Sequence, residues 1–318
     1  MVCQNRKEIL GKPRVSRKKF GNCAAGLALC FLAGCASVPR PENYYAGRKD
    51  AFAFMAPGAE LYITAEVRSV RPILEELLLA GMTGADLKEF LDMSDTLTAA
   101  VFEAAGPDRH FYAAAEGKFP GVRGGIFFGA SRDWEKRVSA AGIDYWHSER
   151  SRLSVFLGAK NAYFSDGDPF VPAPGAQSPP ALEGLRRGAV LSGWMENPAS
   201  AINRIVTAFG VPIEIPSNRL VFGVYPAGDA GEGPEEYYTA VLRFETPTAA
   251  QASALVRIFT MAKIGLERAD FSGYRDMETL ARAFFAKNPV QDGNALILAT
   301  GVMSGGELAL LFNAISLY

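Results

Sequence analysis

Four cysteines, two histidines, two closely spaced aspartates and one serine near a glutamate are the residues whose types and spacing could do chemistry. All four cysteines (Cys3, Cys23, Cys30 and Cys35) fall within the first 35 residues. If the chain is cut before Cys35, one thiol remains and no internal disulfide can form. A chain of this length can fold without bridges if it buries a large enough core. The histidines, His110 and His147, are too few for a histidine-based metal site without further ligands, so each reads as a half-exposed histidine on a strand. Ser165-Asp166-Gly167-Asp168-Pro169 sets two carboxylates at alternate positions. Calcium takes about six to eight oxygens and the full loop spacing is missing, so this is read as a turn. Ser304 and Glu307 stand three apart before an apolar run, which is a capping-box pattern. The glycine-rich stretches at 121–125 and 228–233 lack the lysine-serine of a phosphate loop and the dinucleotide fingerprint. No Gly-x-Ser-x-Gly elbow is present. The expectation is a protein that is not an enzyme and uses no cofactor or metal.

Composition narrows the partners. Of 318 residues, 49% are hydrophobic and 21% charged, as in globular proteins. The net charge of −1 averages two unlike parts. Residues 1–34 hold seven basic residues and Glu8, leaving 26 basic against 33 acidic residues in the remainder, a charge of −7. Nucleic-acid binding needs clustered lysine and arginine against phosphates, so no nucleic-acid partner is expected.

The basic stretch ending at Lys19 runs into a 14-residue apolar segment, Gly21 to Gly34. Basic-then-apolar is the layout of a secretory signal, and the apolar part is shorter than the ~20 residues needed to span a bilayer. It closes on Leu32-Ala33-Gly34-Cys35, which resembles the lipobox of bacterial lipoprotein signal peptides at all four places. The resemblance implies cleavage before Cys35, diacylglycerol on its thiol and acylation of the new amino group. Membrane lipid is then a partner through acylated Cys35, and two or three acyl chains hold firmly at ~0.8 kcal/mol per buried methylene. The basic region is longer than that pattern usually carries, which points to a translation start later than Met1. Residues 35–50, with Pro39, Pro41 and Gly47, read as a lipidated tether. By resemblance to enteric lipoproteins, Ala36 after the cysteine permits outer-membrane sorting. The expected location is the cell envelope, at the outer membrane or the periplasmic face of the inner one.

The elements behind these residues suggest a duplication. Residues 169–184 hold five prolines and read as an extended linker between a first repeat, 51–168, and a second, 185–318. Each begins with a strand (Glu60–Val67; Ala189–Glu196) and a proline-initiated helix (at Pro72; at Pro198). Paired strands follow at Leu97–Ala104 and His110–Glu116, and at Arg219–Tyr225 and Glu236–Phe244. A helix is expected after Pro120 and another over 248–267, where Ser253, Arg257, Thr260, Lys263 and Glu267 recur at helical spacing. Closing strands are Tyr145–Ser148, Leu153–Leu157 and Ala162–Ser165 in the first half and Ala295–Thr300 in the second. Further helices are expected around Asp276–Ala286 and from Glu307. The predicted fold is α+β: two diverged split-βαβ (ferredoxin-like) halves, with antiparallel-rich sheets and helices packed on one face.

Three helices carry apolar residues over more than half their surface. These are the segment of Leu74, Leu77, Leu78, Leu79 and Met82, that of Leu255 to Leu266, and that of Leu308 to Leu317. Such faces read first as core and second as an apolar groove or as surfaces that meet a bilayer interface. The stretch Phe111 to Pro120, then Trp134, Tyr145-Trp146 and Asn161 to Pro169, is similar to uncharacterised lipoproteins of spirochaetes. That resemblance implies an outer-membrane setting with membrane-active amphipathic helices and assigns no functional residue. The expected function is a lipid-anchored, non-enzymatic binding or structural module of the cell envelope, with an apolar ligand or a protein partner. The alternatives are a lipid or acyl-chain carrier, a membrane-perturbing lipoprotein, and an envelope enzyme without a recognisable motif.

Overall fold

The computed structural model describes residues 51–78, 84–102, 110–119, 132–170, 175–199, 216–228, 236–268 and 275–316. The first half supplies β1 (Leu61–Glu66), β2 (Ser94–Phe102), β3 (His110–Gly117), β4 (Glu135–Val138), β5 (Asp144–Ser148), β6 (Leu153–Leu157) and β7 (Asn161–Ser165). The second supplies β8 (Leu191–Glu196), β9 (Arg219–Pro226), β10 (Tyr237–Glu245), β11 (Val290–Asp292), β12 (Ala295–Ala299) and β13 (Met303–Ser304). The described helices are α1 (Arg71–Leu78), α2 (Gly84–Met93), α3 (Pro180–Arg186), α4 (Ala249–Arg268), α5 (Arg275–Phe284) and α6 (Gly305–Ser316).

Among the described residues, thirteen strands form one sheet in the order β11-β12-β10-β9-β8-β1-β2-β3-β7-β6-β5-β4, with β13 paired to β10. Every pairing is antiparallel. This corrects the split-βαβ expectation. A split βαβ keeps its two strands parallel with a third between them. Here α1 and α2 return the chain so that β2 lies directly beside β1, Leu61 facing Val101 and Glu66 facing Thr96. The sheet also continues across the expected boundary, because β1 pairs with β8 through Leu61–Met195 to Ala65–Leu191. Read outwards from that central pair, the order is β1-β2-β3-β7 on one side and β8-β9-β10-β12 on the other.

Alternation along the strands divides the core between two faces. Ala65, Leu191, Leu220, Phe222, Ala240, Phe244 and Leu298 point to the face covered by α1, α2, α4 and α6. Leu255 and Phe259 of α4 and Leu308 of α6 are buried against them. Tyr62, Ala114, Tyr163, Trp194 and Val221 point the other way, beneath Phe52, Met55, Phe170, Ala176 and Leu182. The proline-rich stretch is therefore not simply an extended linker. Its second part carries α3, with Leu182 fully buried on the sheet. Residues 171–174 lie outside the described residues.

The helix over 248–267 stands where its spacing puts it, as do α1, β6 and β7. The expected helices after Pro120 and Pro198 fall on residues 120–131 and 200–215, outside the described residues.

Candidate functional site

Cys35, the expected lipidation site, and the segment 1–50 lie outside the described residues. The described chain opens with a single 3-10 turn, Ala51–Phe54, which packs on one face of the sheet over β1 and β8. The Phe52 ring meets Trp194 edge-on at 4.6 Å and Tyr62 edge-on at 6.2 Å, and Tyr62 stacks on Trp194 at 4.3 Å. Phe52 and Met55 are fully buried. The Tyr62 hydroxyl donates to the Ala56 carbonyl at 2.9 Å and accepts from the Ala59 N–H at 2.9 Å. Burial holds that phenol above its ordinary pKa. The Ala176 N–H donates to the Met55 carbonyl at 2.9 Å, and the Arg186 guanidinium sits 5.1 Å above the Phe52 ring centre. Aromatic area of this kind dominates core energetics, and a cation over a ring adds ~0.5–1 kcal/mol at a partly exposed site. The start of the described chain is thus clamped on the face opposite α1, α2, α4 and α6. The pattern Ala51-Phe52-Ala53-Phe54-Met55 was the available signal in the sequence, and it carries no motif that distinguishes it from a strand.

The histidines occupy two different environments. His110 is exposed at the start of β3, its Nδ1 paired with the Asp166 carboxylate. His147 is buried, not half-exposed as expected, because the parity of β5 puts it on the same side as buried Tyr145. Its Nδ1 lies 2.9 Å from Ser154 Oγ and its Nε2 lies 3.4 Å from Glu149, which Arg137 holds at 2.7 Å. Burial first, and the Arg137 charge next, keep the imidazole pKa below its ordinary value. A Ser-His-Glu line of this kind has the residue types of a hydrolytic triad. Ser154 is fully buried, however, so its hydroxyl meets no solvent.

Of the two turn aspartates, Asp166 holds His110 and Asp168 serves the backbone. Asp168 accepts from the Phe170 N–H at 2.9 Å and the Ala140 N–H at 3.0 Å, while Ser165 Oγ accepts from the Gly167 N–H. Among the described residues no three His, Cys, Asp or Glu side chains stand close enough to hold a metal ion. Ser304 and Glu307 form the reciprocal capping box: the Ser304 N–H donates to Glu307 Oε2 at 2.8 Å and the Glu307 N–H to Ser304 Oγ at 3.3 Å. This seats the first turn of α6.

The apolar helices divide between core and surface. Met261 on α4 is 72% exposed, Ile264 44%, and Leu310 on α6 49%. The side chains of Leu77, Leu78, Leu79, Met82 and Phe312 lie outside the described residues. Among the described residues no helix is long and apolar enough to cross a membrane.

The described residues form a mixed fold built on one large antiparallel sheet, and known proteins share it. A family model described as outer membrane-associated lipoprotein TP0453 matches residues 46–163, which include most of the stretch similar to spirochaete lipoproteins. Crystal forms I and III of TP0453 are similar in structure, each at TM-score 0.53 and 15% identity. They cover 84% and 83% of this chain and 97% and 98% of theirs. Crystal form IV is similar at TM-score 0.51 and 15% identity, covering 83% of this chain and 96% of its own. No curated protein matches the chain. The shared fold extends through both halves, and the family's description agrees with the cell-envelope location expected from the N-terminus.

Proposed function

We propose that this chain is a lipid-anchored cell-envelope protein, acylated on Cys35, that serves as a non-catalytic binding or structural module at a membrane surface. The sequence Leu32-Ala33-Gly34-Cys35 at the end of a short apolar run carries the reading. The match to a family of outer membrane-associated lipoproteins supports it. The helical layer, with Met261, Ile264 and Leu310 in water, offers the apolar surface that a lipid-like ligand or protein partner would cover. The common outward order of β1-β2-β3-β7 and β8-β9-β10-β12 supports reading the halves as diverged copies. Metabolic labelling with radioactive palmitate tests the anchor: the natural chain takes up label and partitions with membranes, and Cys35→Ser does neither. An unlabelled natural chain overturns the proposal.

Those same exposed residues favour a second reading, in which the helices themselves bind a bilayer. Flotation of the Cys35→Ser chain with vesicles separates the two. Co-flotation that is lost in Met261→Ser/Ile264→Ser supports the second reading, and its absence leaves a partner-binding surface.

A further inference from the structure

The sheet face opposite α1, α2, α4 and α6 carries a row of polar side chains beside its aromatic ones. Strand register lines up Glu135 of β4, His147 of β5, Ser154 of β6, Ser165 of β7 and Tyr112 of β3. Ser154 and Ser165 are fully buried, and His147 is nearly so. Ser165 Oγ is already engaged, accepting from the Gly167 N–H at 2.9 Å and bonding the Tyr112 hydroxyl. The Glu149 carboxylate only accepts, so His147 Nε2 carries the ring proton and Nδ1 accepts from the Ser154 hydroxyl at 2.9 Å. A second proton on the ring has to enter at Nδ1. The Ser154 hydroxyl must then turn and find another acceptor inside the sheet, and a full charge stands buried near Arg137. Both changes cost free energy.

That cost falls on a narrow junction. The β4–β5 hairpin joins the sheet through three rungs, Trp146–Val155, His147–Ser154 and Ser148–Leu153, and His147 is the middle one. Its other holds are the packing of Trp134, Tyr145 and Trp146 and the Ala140 N–H on Asp168. Strand β6 beneath it is buried at all five residues, Leu153 to Leu157. Without β5 it would present an open edge with apolar side chains on both faces. We propose that His147 is an acid-sensitive latch: its protonation releases the β4–β5 hairpin from β6 and opens that edge while the central strands stay paired. The inference stands whether or not Cys35 is acylated. Charged groups reach the ring from β4, as Glu135 and Arg137, and from the turn after β5, as Glu149, while β6 and β7 present the uncharged Ser154 and Ser165. Lys136 and Asp144 pair with each other on the opposite face. Burial and Arg137 outweigh the two glutamates and lower the imidazole pKa, so the closed hairpin prefers the neutral ring. Closure therefore weakens as pH falls through ~6.5.

Hydrogen–deuterium exchange of the full chain at pH ~7.5 and ~5.5, corrected for intrinsic rates, tests the latch. Opening linked to one proton raises exchange up to ~10-fold over that range. The rise is expected in residues 133–148 and 153–157, with β1 and β8 unchanged, and it is expected to vanish in His147→Gln. No rise, a rise of equal size in β1 and β8, or one that survives in His147→Gln overturns the proposal. The chain has two histidines, so imidazole nuclear magnetic resonance gives a second measurement if that variant does not fold. His110→Gln leaves the His147 curve alone, and a midpoint at or above ~6.5 there overturns the latch as well.

Discussion

At the scale of single residues, the molecule invests most in the aromatic cluster under the N-terminal turn. Trp194 is buried between Phe52 and Tyr62, and truncation would open a cavity in a sheet whose neighbours cannot collapse into it. Trp194→Ala is expected to lose ~3–5 kcal/mol in denaturant titration. His147 adds a pH dependence whose sign follows from its environment. Its folded pKa lies below that of the free imidazole, with Arg137, Glu149 and Glu135 as the charged groups around it. The unfolded chain therefore binds more protons in the window below pH ~6.5, and stability falls as pH drops through it. His147→Gln is expected to flatten that fall relative to the natural chain, read as the denaturation midpoint against pH. An unchanged slope would mean that other groups set it. The burial of His147 was legible in principle, since it alternates with Trp146 and shares the side of Tyr145. Two residue types alone could not say whether that side met water.

Elements with a regular apolar period were legible, and those set by charge or by neighbours were not. Helix α4 follows from its polar residues at three- and four-residue spacing, and α6 from Ser304 and Glu307. Ser304→Ala removes one side of the capping box and is expected to cost ~0.5–2 kcal/mol. Faster amide exchange confined to the first turn of α6 would show it. Helix α2 begins at Gly84 and follows an apolar run that masks its start. Strand β4, Glu-Lys-Arg-Val, has three charges in four residues, as suits an edge that must not pair with another chain. Such a strand carries no alternation to read. Across the middle of the sheet the fit is close: a Cβ at Gly193 would stand 2.1 Å from the Tyr62 carbonyl oxygen and 2.8 Å from the Phe222 ring. Gly193→Ala is therefore expected to force β8 away from β1 and lose ~1–3 kcal/mol, measured by thermal unfolding. It would do so without touching any charged or surface group.

For the molecule as a whole, the faces of the strands could be read and their neighbours could not. Period-two alternation tells which side a residue faces, but it is the same whichever strand lies alongside. So the sequence suggests two repeats joined by a proline-rich linker, while the structure joins them through β1 and β8 into one sheet. That junction is also where the core is continuous: Ala65 of β1 and Leu191 of β8 belong to one cluster with Leu255 and Leu308. Cutting there would expose the full length of two central strands, with unpaired backbone groups and apolar side chains on both faces. The full chain is accordingly expected to unfold in a single cooperative transition, the same by far- and near-ultraviolet circular dichroism. Residues 51–168 and 185–318 made separately are expected to lack a cooperative transition, and to regain one when mixed if they pair through β1 and β8. Two resolved transitions in the full chain, each reproduced by one fragment, would show that the halves fold independently despite the shared sheet.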